Sequence, residues 1–275
     1  MRKFLLIFFL SVLFIVPVSI FSRSASTMTV PSRSGPNIPG WTLTFDDEFD
    51  GTTGTIGTTL DRANYLEYWG EASTYGTASW WNGKEALTVQ DGLLRVKVAQ
   101  EEVSHNGKTY QYTAGGFNQL TAQTYGRWVV RARLPQGAGI QSYLALFRQD
   151  FNWPPEIDFA EVRGILPNEN IFTQHYLEGD QHVTEVSKLY EADYTADFHE
   201  YTVIWEAGTL TWLVDGVEKF TTTQKFEAAP MILAVGDLVG TCDSFASCPN
   251  ATSTFPTYLD IDYIRIYQKK TQPGI

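Results

Sequence analysis

Residues 153–163 read WPPEIDFAEVR, with three carboxylates inside six positions: Glu156, Asp158 and Glu161. The stretch has the composition of a strand, and side chains on a strand alternate between its two faces. Glu156 and Asp158 then share a face, while Glu161, an odd number of residues further on, points away. A β-bulge removes the conflict, because one extra residue makes the alternation slip by one beyond it. With the extra residue at Phe159 or Ala160, Glu161 turns back beside Asp158. Four strand positions then separate the glutamates, ~13 Å between Cα atoms at ~3.3 Å per residue. Side chains leaning toward each other bring the carboxyl groups to about 5–6 Å, the spacing at which one carboxylate attacks a sugar carbon while the other protonates the leaving oxygen. Asp158, one methylene shorter, sits low between them. Three such acids cannot all ionise at low cost, so at least one pKa rises and supplies a general acid near neutral pH. An acidic triplet on an exposed strand face also arises without function. The context speaks for chemistry: Trp153 and two prolines precede it, and like charges on one strand face are unfavourable.

Around this segment the chain reads as strands. LTVQDGLLRVKV (87–98) alternates about an Asp-Gly turn, and GRWVVRARL (126–134) alternates with Arg127, Arg131 and Arg133 on one side. HEYTVIWEAGTLTWLVDGVEKF (199–220) holds three strand-like runs between Ala-Gly and Asp-Gly turns. YLDIDYIRIYQ (258–268) sets Leu259, Ile261, Tyr263, Arg265 and Tyr267 against Asp260, Asp262, Ile264 and Ile266. Helical periodicity is nearly absent. Many short strands with Gly, Asn and Asp turns predict an all-β fold, a sandwich or jelly roll of two curved antiparallel sheets with a cleft on the concave face.

The N-terminus has a different character. Arg2 and Lys3 precede an apolar run over 4–20, and FSRSAS follows with small residues, the layout of a secretory signal peptide over 1–26. An uncleaved anchor is the rival reading, since the run is close to the shortest membrane span. Cleavage is the expectation, and with it an extracellular or periplasmic location. Residues 27–40, rich in Ser, Pro, Thr and Gly, read as a linker, 41–270 as one catalytic domain, and 271–275 as a tail.

Composition excludes some partners. A net charge of −11, from 20 basic and 31 acidic residues, argues against nucleic acid. Eight Trp and fourteen Tyr suit a β-rich core and equally a cleft whose flat rings cover a pyranose face. The two cysteines, Cys242 and Cys248, are expected to form a small loop disulfide in an exported protein. Four scattered His and two Cys give no zinc pattern, and no phosphate-binding glycine loop is present. Asn250-Ala251-Thr252 is a glycosylation sequon that matters only in a eukaryotic host.

These pieces together resemble glycoside hydrolase family 16, and within it the laminarinase-type β-1,3-glucanases. EIDFAE matches the bulged motif E-x-D-x-x-E; FDDEFDG (45–51), YGRWVVRARLP (125–135), FHEYTVIWEAGTLTWLVDG (198–216), PMILAVG (230–236) and LDIDYIRIYQ (259–268) match in family order. The resemblance implies Glu156 as nucleophile, Glu161 as acid/base and Asp158 as their partner. It places Trp153 against the sugar beside the scissile bond and His175, in TQHY, near the acid/base. It also implies a structural calcium, not needed for catalysis, on Glu48, the backbone of Gly92 and Asp262, although both acids also read as plain surface acids. The sequence departs from the family pattern at three places: Pro155 stands where glycine is usual, YTAGGFNQL (112–120) lacks a polar or basic residue after its first glycine, and GIQSYLALFRQDFNW (139–153) replaces a Trp-Pro-Ala-type stretch. Tyr143 and Phe147 then supply its aromatic surface. The function implied is a secreted, monomeric, retaining endo-β-glucanase acting on β-1,3 or mixed β-1,3/1,4 glucan. An agarase-like β-galactanase and a transglycosylase share the chemistry, and a non-catalytic lectin shares the fold.

Overall fold

The computed structural model describes residues 34–50, 54–55, 63–72 and 77–270. The signal peptide at 1–26, residues 27–33 of the linker and the 271–275 tail lie outside the described residues. No helix among the described residues is long and apolar enough to cross a membrane.

The described strands form two large antiparallel sheets and two small ones. One large sheet runs Gln181–Tyr190, Glu169–Glu178, Glu156–Arg163, Ile140–Arg148, Met231–Val239, Gly116–Gln123, Tyr65–Glu67. The other runs Val217–Thr223, Thr209–Val214, His199–Glu206, Gly126–Arg133, Thr257–Lys269, Leu93–Val98, Leu87–Gln90, Gly54–Thr55, with Trp41–Asp47 also on the Thr257–Lys269 strand. Strands adjacent in space are often distant in sequence, the mark of a jelly roll. The expected turns close the hairpins. Asp91-Gly92 and Asp215-Gly216 have positive φ at both residues (55° and 75°; 52° and 74°), as a type I′ turn requires.

The sheets face each other across one core. Trp128, Val130 and Ala132 alternate into it, while Arg127, Arg131 and Arg133 stay on the outer face of their sheet. There Arg131 meets Asp262 and Arg133 meets Asp260. Trp128 stacks on Trp205 with centroids 6.3 Å apart, and Trp212 lies between Phe172 and Phe220.

The unbroken alternation expected over 258–268 does not hold. Pairing with Gly126–Arg133 slips at Asp262: Arg131 faces Tyr263, and Ala132 faces Ile261. This second bulge lets Leu259, Ile261, Ile264 and Ile266 all enter the main core. Tyr263 and Tyr267 turn to the outer face and pack with Val129 against Trp41 and Leu43. A sequence pattern cannot reveal such a slip where apolar residues occur on both sides of it.

Candidate active site

The bulge in the acidic strand falls at Phe159. Across the Ile140–Arg148 strand, Ala145 faces Asp158 and Leu144 faces Ala160, so Phe159 has no opposite number. Ile157, Phe159, Ala160 and Val162 all enter the core, two of them consecutive. Glu156, Asp158 and Glu161 are thereby left on one face, and all three line a single cleft of about 570 Å³. That volume suits a ligand of a few sugar rings.

Two side chains compensate the broken ladder. The backbone N–H of Glu161 donates to Asn170 Oδ1 at 3.1 Å. The indole N–H of Trp212, from the opposite sheet, donates to the Asp158 carbonyl at 2.8 Å. Buried backbone polar groups need partners, and here sequence-distant side chains supply them.

Register fixes what surrounds each acid. Phe147 and His175 flank Glu156 on the neighbouring strands; Tyr143 and Ile171 flank Glu161. Trp153, 47% exposed, donates its indole N–H to Glu156 Oε2 at 2.5 Å. Gln141 donates to Glu161 Oε1 at 2.7 Å. His175 Nε2 lies 3.3 Å from Asp158 Oδ2, so this histidine sits closer to the middle acid than to Glu161, where the resemblance places it. Tyr143 shares a hydrogen bond with Tyr68, and its hydroxyl fills space that a side chain at position 236 would need: a Cβ on Gly236 would come within 2.6 Å.

Burial and mutual repulsion set the ionisation. Burial, then the charge of Glu156, pushes Glu161 from 4.5 up to about 7; His175, Arg163 and Gln141 pull the other way. Burial, then the charge of Glu161, holds Asp158 well above the ordinary range. Burial, then the charge of Asp158, holds Glu156 well above the ordinary range, while His175 and the Trp153 indole pull the other way. Asp158 is only 3% exposed, whereas Glu156 and Glu161 keep an edge toward solvent. Glu156 and Asp158 are hydrogen-bonded, so one proton serves the pair. Burial raises both acids, and the hydrogen bond they share raises Glu156 further while it lowers Asp158.

The cleft is also lined by residues that the sequence did not single out: Gln141, Thr184, Lys188 and Phe245. Gln141 follows by alternation from Tyr143, two residues away on the same strand face. Phe245 has no such signal. It belongs to the loop closed by the Cys242–Cys248 disulfide, where Arg163 lies over its ring at 4.4 Å.

Ligand atoms of Glu156, Asp158 and His175 lie within 4.8 Å of one another, and hydrogen bonding among them accounts for the closeness. At the calcium positions implied by the resemblance, two arginines engage the acids. Both Glu48 oxygens accept from Arg265, at 2.7 and 2.9 Å, and Asp262 Oδ2 accepts from Arg131 at 2.5 Å. Gly92 lies in the Asp91-Gly92 turn.

The geometry agrees with the comparisons. The model of the glycosyl hydrolases family 16 matches residues 74–263. The chain belongs to that family. It is 28% identical to Glucan endo-1,3-beta-glucosidase A1 of Niallia circulans over 88% of this chain and 40% of that relative. Endo-1,3-1,4-beta-glycanase EglC of Rhizobium meliloti is also 28% identical, over 82% of this chain and 51% of its own length. The family 16 chain therefore spans about half, or less, of these curated relatives. Among solved structures, the catalytic domain of an endo-1,3-beta-glucanase (laminarinase) from Thermotoga petrophila superposes with a TM-score of 0.73 at 25% identity, covering 84% of this chain and 99% of that one.

Proposed function

We propose that this family 16 member is an endo-acting β-glucanase that hydrolyses β-1,3 or mixed β-1,3/1,4 glucan with retention of configuration. The observation that carries the reading is the Phe159 bulge, which turns Glu161 onto the face that holds Glu156. The charged Glu156 attacks the anomeric carbon. Glu161, protonated up to about pH 7, gives its proton to the departing glycosidic oxygen. Glu161, now ionised, takes a proton from water as that water attacks the glycosyl-enzyme ester, and Glu156 leaves as carboxylate. Asp158, hydrogen-bonded to Glu156, keeps it in place. The relatives named for endo-1,3 and endo-1,3-1,4 activity support the linkage.

The basic start, the apolar run over 4–20 and the small residues after it support export. The Cys242–Cys248 disulfide adds to this, since such bonds persist in oxidising compartments.

Product analysis on laminarin, lichenan and agarose tests the reading, with the anomer of the first product followed by NMR. Internal cleavage of a β-glucan with retention is expected, and its loss in Glu156→Ser. Binding with no new reducing ends in the wild type would make the protein a lectin and overturn the proposal.

A further inference from the structure

A second histidine stands behind the first. His182, on the Gln181–Tyr190 strand, places Nε2 3.0 Å from His175 Nδ1. The two rings stack at 5.2 Å with 17° between planes. Thr184 Oγ1 completes a triangle, 3.2 Å from His175 Nδ1 and 3.4 Å from His182 Nε2. Trp153 covers His182 at 4.5 Å. A continuous chain of polar contacts therefore runs from Asp158 through His175 to His182.

We propose that His182 is a positioning residue that fixes the tautomer of His175. This rests on the double-displacement reading above. In a neutral imidazole one nitrogen donates and the other accepts, and the partner of one decides the state of the other. With His182 Nε2–H donating to His175 Nδ1, the His175 proton sits on Nε2, where it donates to Asp158 Oδ2. The opposite tautomer would point a lone pair at Asp158 Oδ2 and lose this hydrogen bond. Asp158 would then lose the donor that fixes its carboxyl beside Glu156. The groups facing the two rings are Glu156, Asp158 and Glu161 from the acidic strand, Thr184 and Lys188 from the edge strand, and the uncharged Trp153.

The test uses the purified full chain with laminarin or lichenan as substrate. His182→Ala is expected to lower kcat by roughly tenfold, the scale of losing a side chain that orients an active-site histidine. It also narrows the pH profile. Thr184→Val in that background removes the remaining donor and deepens the loss. His182→Gln keeps an N–H donor and restores kcat; without the ring against Trp153 it leaves KM raised. A side chain that merely supported Trp153 would change KM alone, so an unchanged kcat and pH profile in His182→Ala overturns the proposal. So does a His182→Gln variant as slow as His182→Ala. Imidazole ¹⁵N shifts report the tautomer without turnover. They are expected to show the His175 proton on Nε2 in the wild type and a mixture in His182→Ala. A mixture already present in the wild type sinks the idea whatever the rates. If the wild type releases no sugar, the hydrolytic reading fails while the shifts still decide the tautomer.

Discussion

Trp212 and Asp158 belong to opposite sheets, and the indole N–H of the first meets the backbone carbonyl of the second at 2.8 Å. This bond crosses the sandwich at the point where the bulge opens the strand ladder. Trp212 is fully buried, so no water replaces it if the indole is lost. Trp212→Phe keeps most of the ring packing and leaves the carbonyl without that donor, which costs about 1–3 kcal/mol. Urea denaturation should show that loss. Activity should fall with it, because relaxing the bulge turns Glu161 away from Glu156. A variant of wild-type stability and rate would show that the bulge holds without the indole.

On the proposed mechanism the Glu161 carboxyl is expected to set one limb of the pH profile. Its pKa is raised to about 7, chiefly by burial. A general acid must be protonated, so kcat/KM is expected to fall as pH rises through about 7. Stability has the same sign. The folded state binds this proton more tightly than the unfolded chain does, where the group titrates near 4.5. The contribution is therefore complete below about 4.5 and is lost as pH rises through about 7. Glu161→Gln should lower activity by ~10²–10⁴-fold, the range for removing a general acid. It should also flatten the dependence of the melting midpoint on pH between 5 and 8. A steeper dependence in Glu161→Gln than in wild type would contradict the assignment.

Part of this site is legible without coordinates. The odd spacing of Glu161 demands a bulge because only that geometry returns it to the cleft. Alternation within single strands likewise places Trp128 and Val130 inward and their arginine neighbours outward. The slip at Asp262 is not legible, because apolar residues stand on both sides of the chain there. Nor are Asn170 and Trp212, which satisfy the bulge through contacts set by tertiary packing. His182 is missed for a related reason: it reaches His175 across a hairpin on an edge strand whose exposed composition carries no sign of the pairing.

Phe245 is expected to act on binding and not on bond cleavage. It lies in the cleft wall, 42% exposed, on the loop tied by Cys242–Cys248. One ring contact is worth ~0.5–1.5 kcal/mol. Phe245→Ala should then raise KM by roughly two- to tenfold with kcat unchanged. Reducing the disulfide should move KM the same way, because it frees the loop that carries the ring. Steady-state kinetics on a long glucan with and without reductant measures both. A fall in kcat at constant KM would assign Phe245 to the chemical step.

The arginine partners of Glu48 and Asp262 lead to a prediction about metal dependence. Glu48 is buried, and Arg265 engages both of its oxygens. Removing one member of a buried ion pair costs about 3–5 kcal/mol, because the remaining charge has lost the guanidinium in a poorly solvated place. Arg265→Met should therefore destabilise the fold by that amount while the cleft, built on the other sheet, keeps its geometry. Chelation should leave the wild-type melting midpoint unchanged, because the guanidinium already supplies the charge that a cation would bring. Calorimetric scans with EDTA and with added calcium distinguish the cases. A melting midpoint that falls on chelation and recovers with calcium would mean that the ion displaces Arg265 from Glu48.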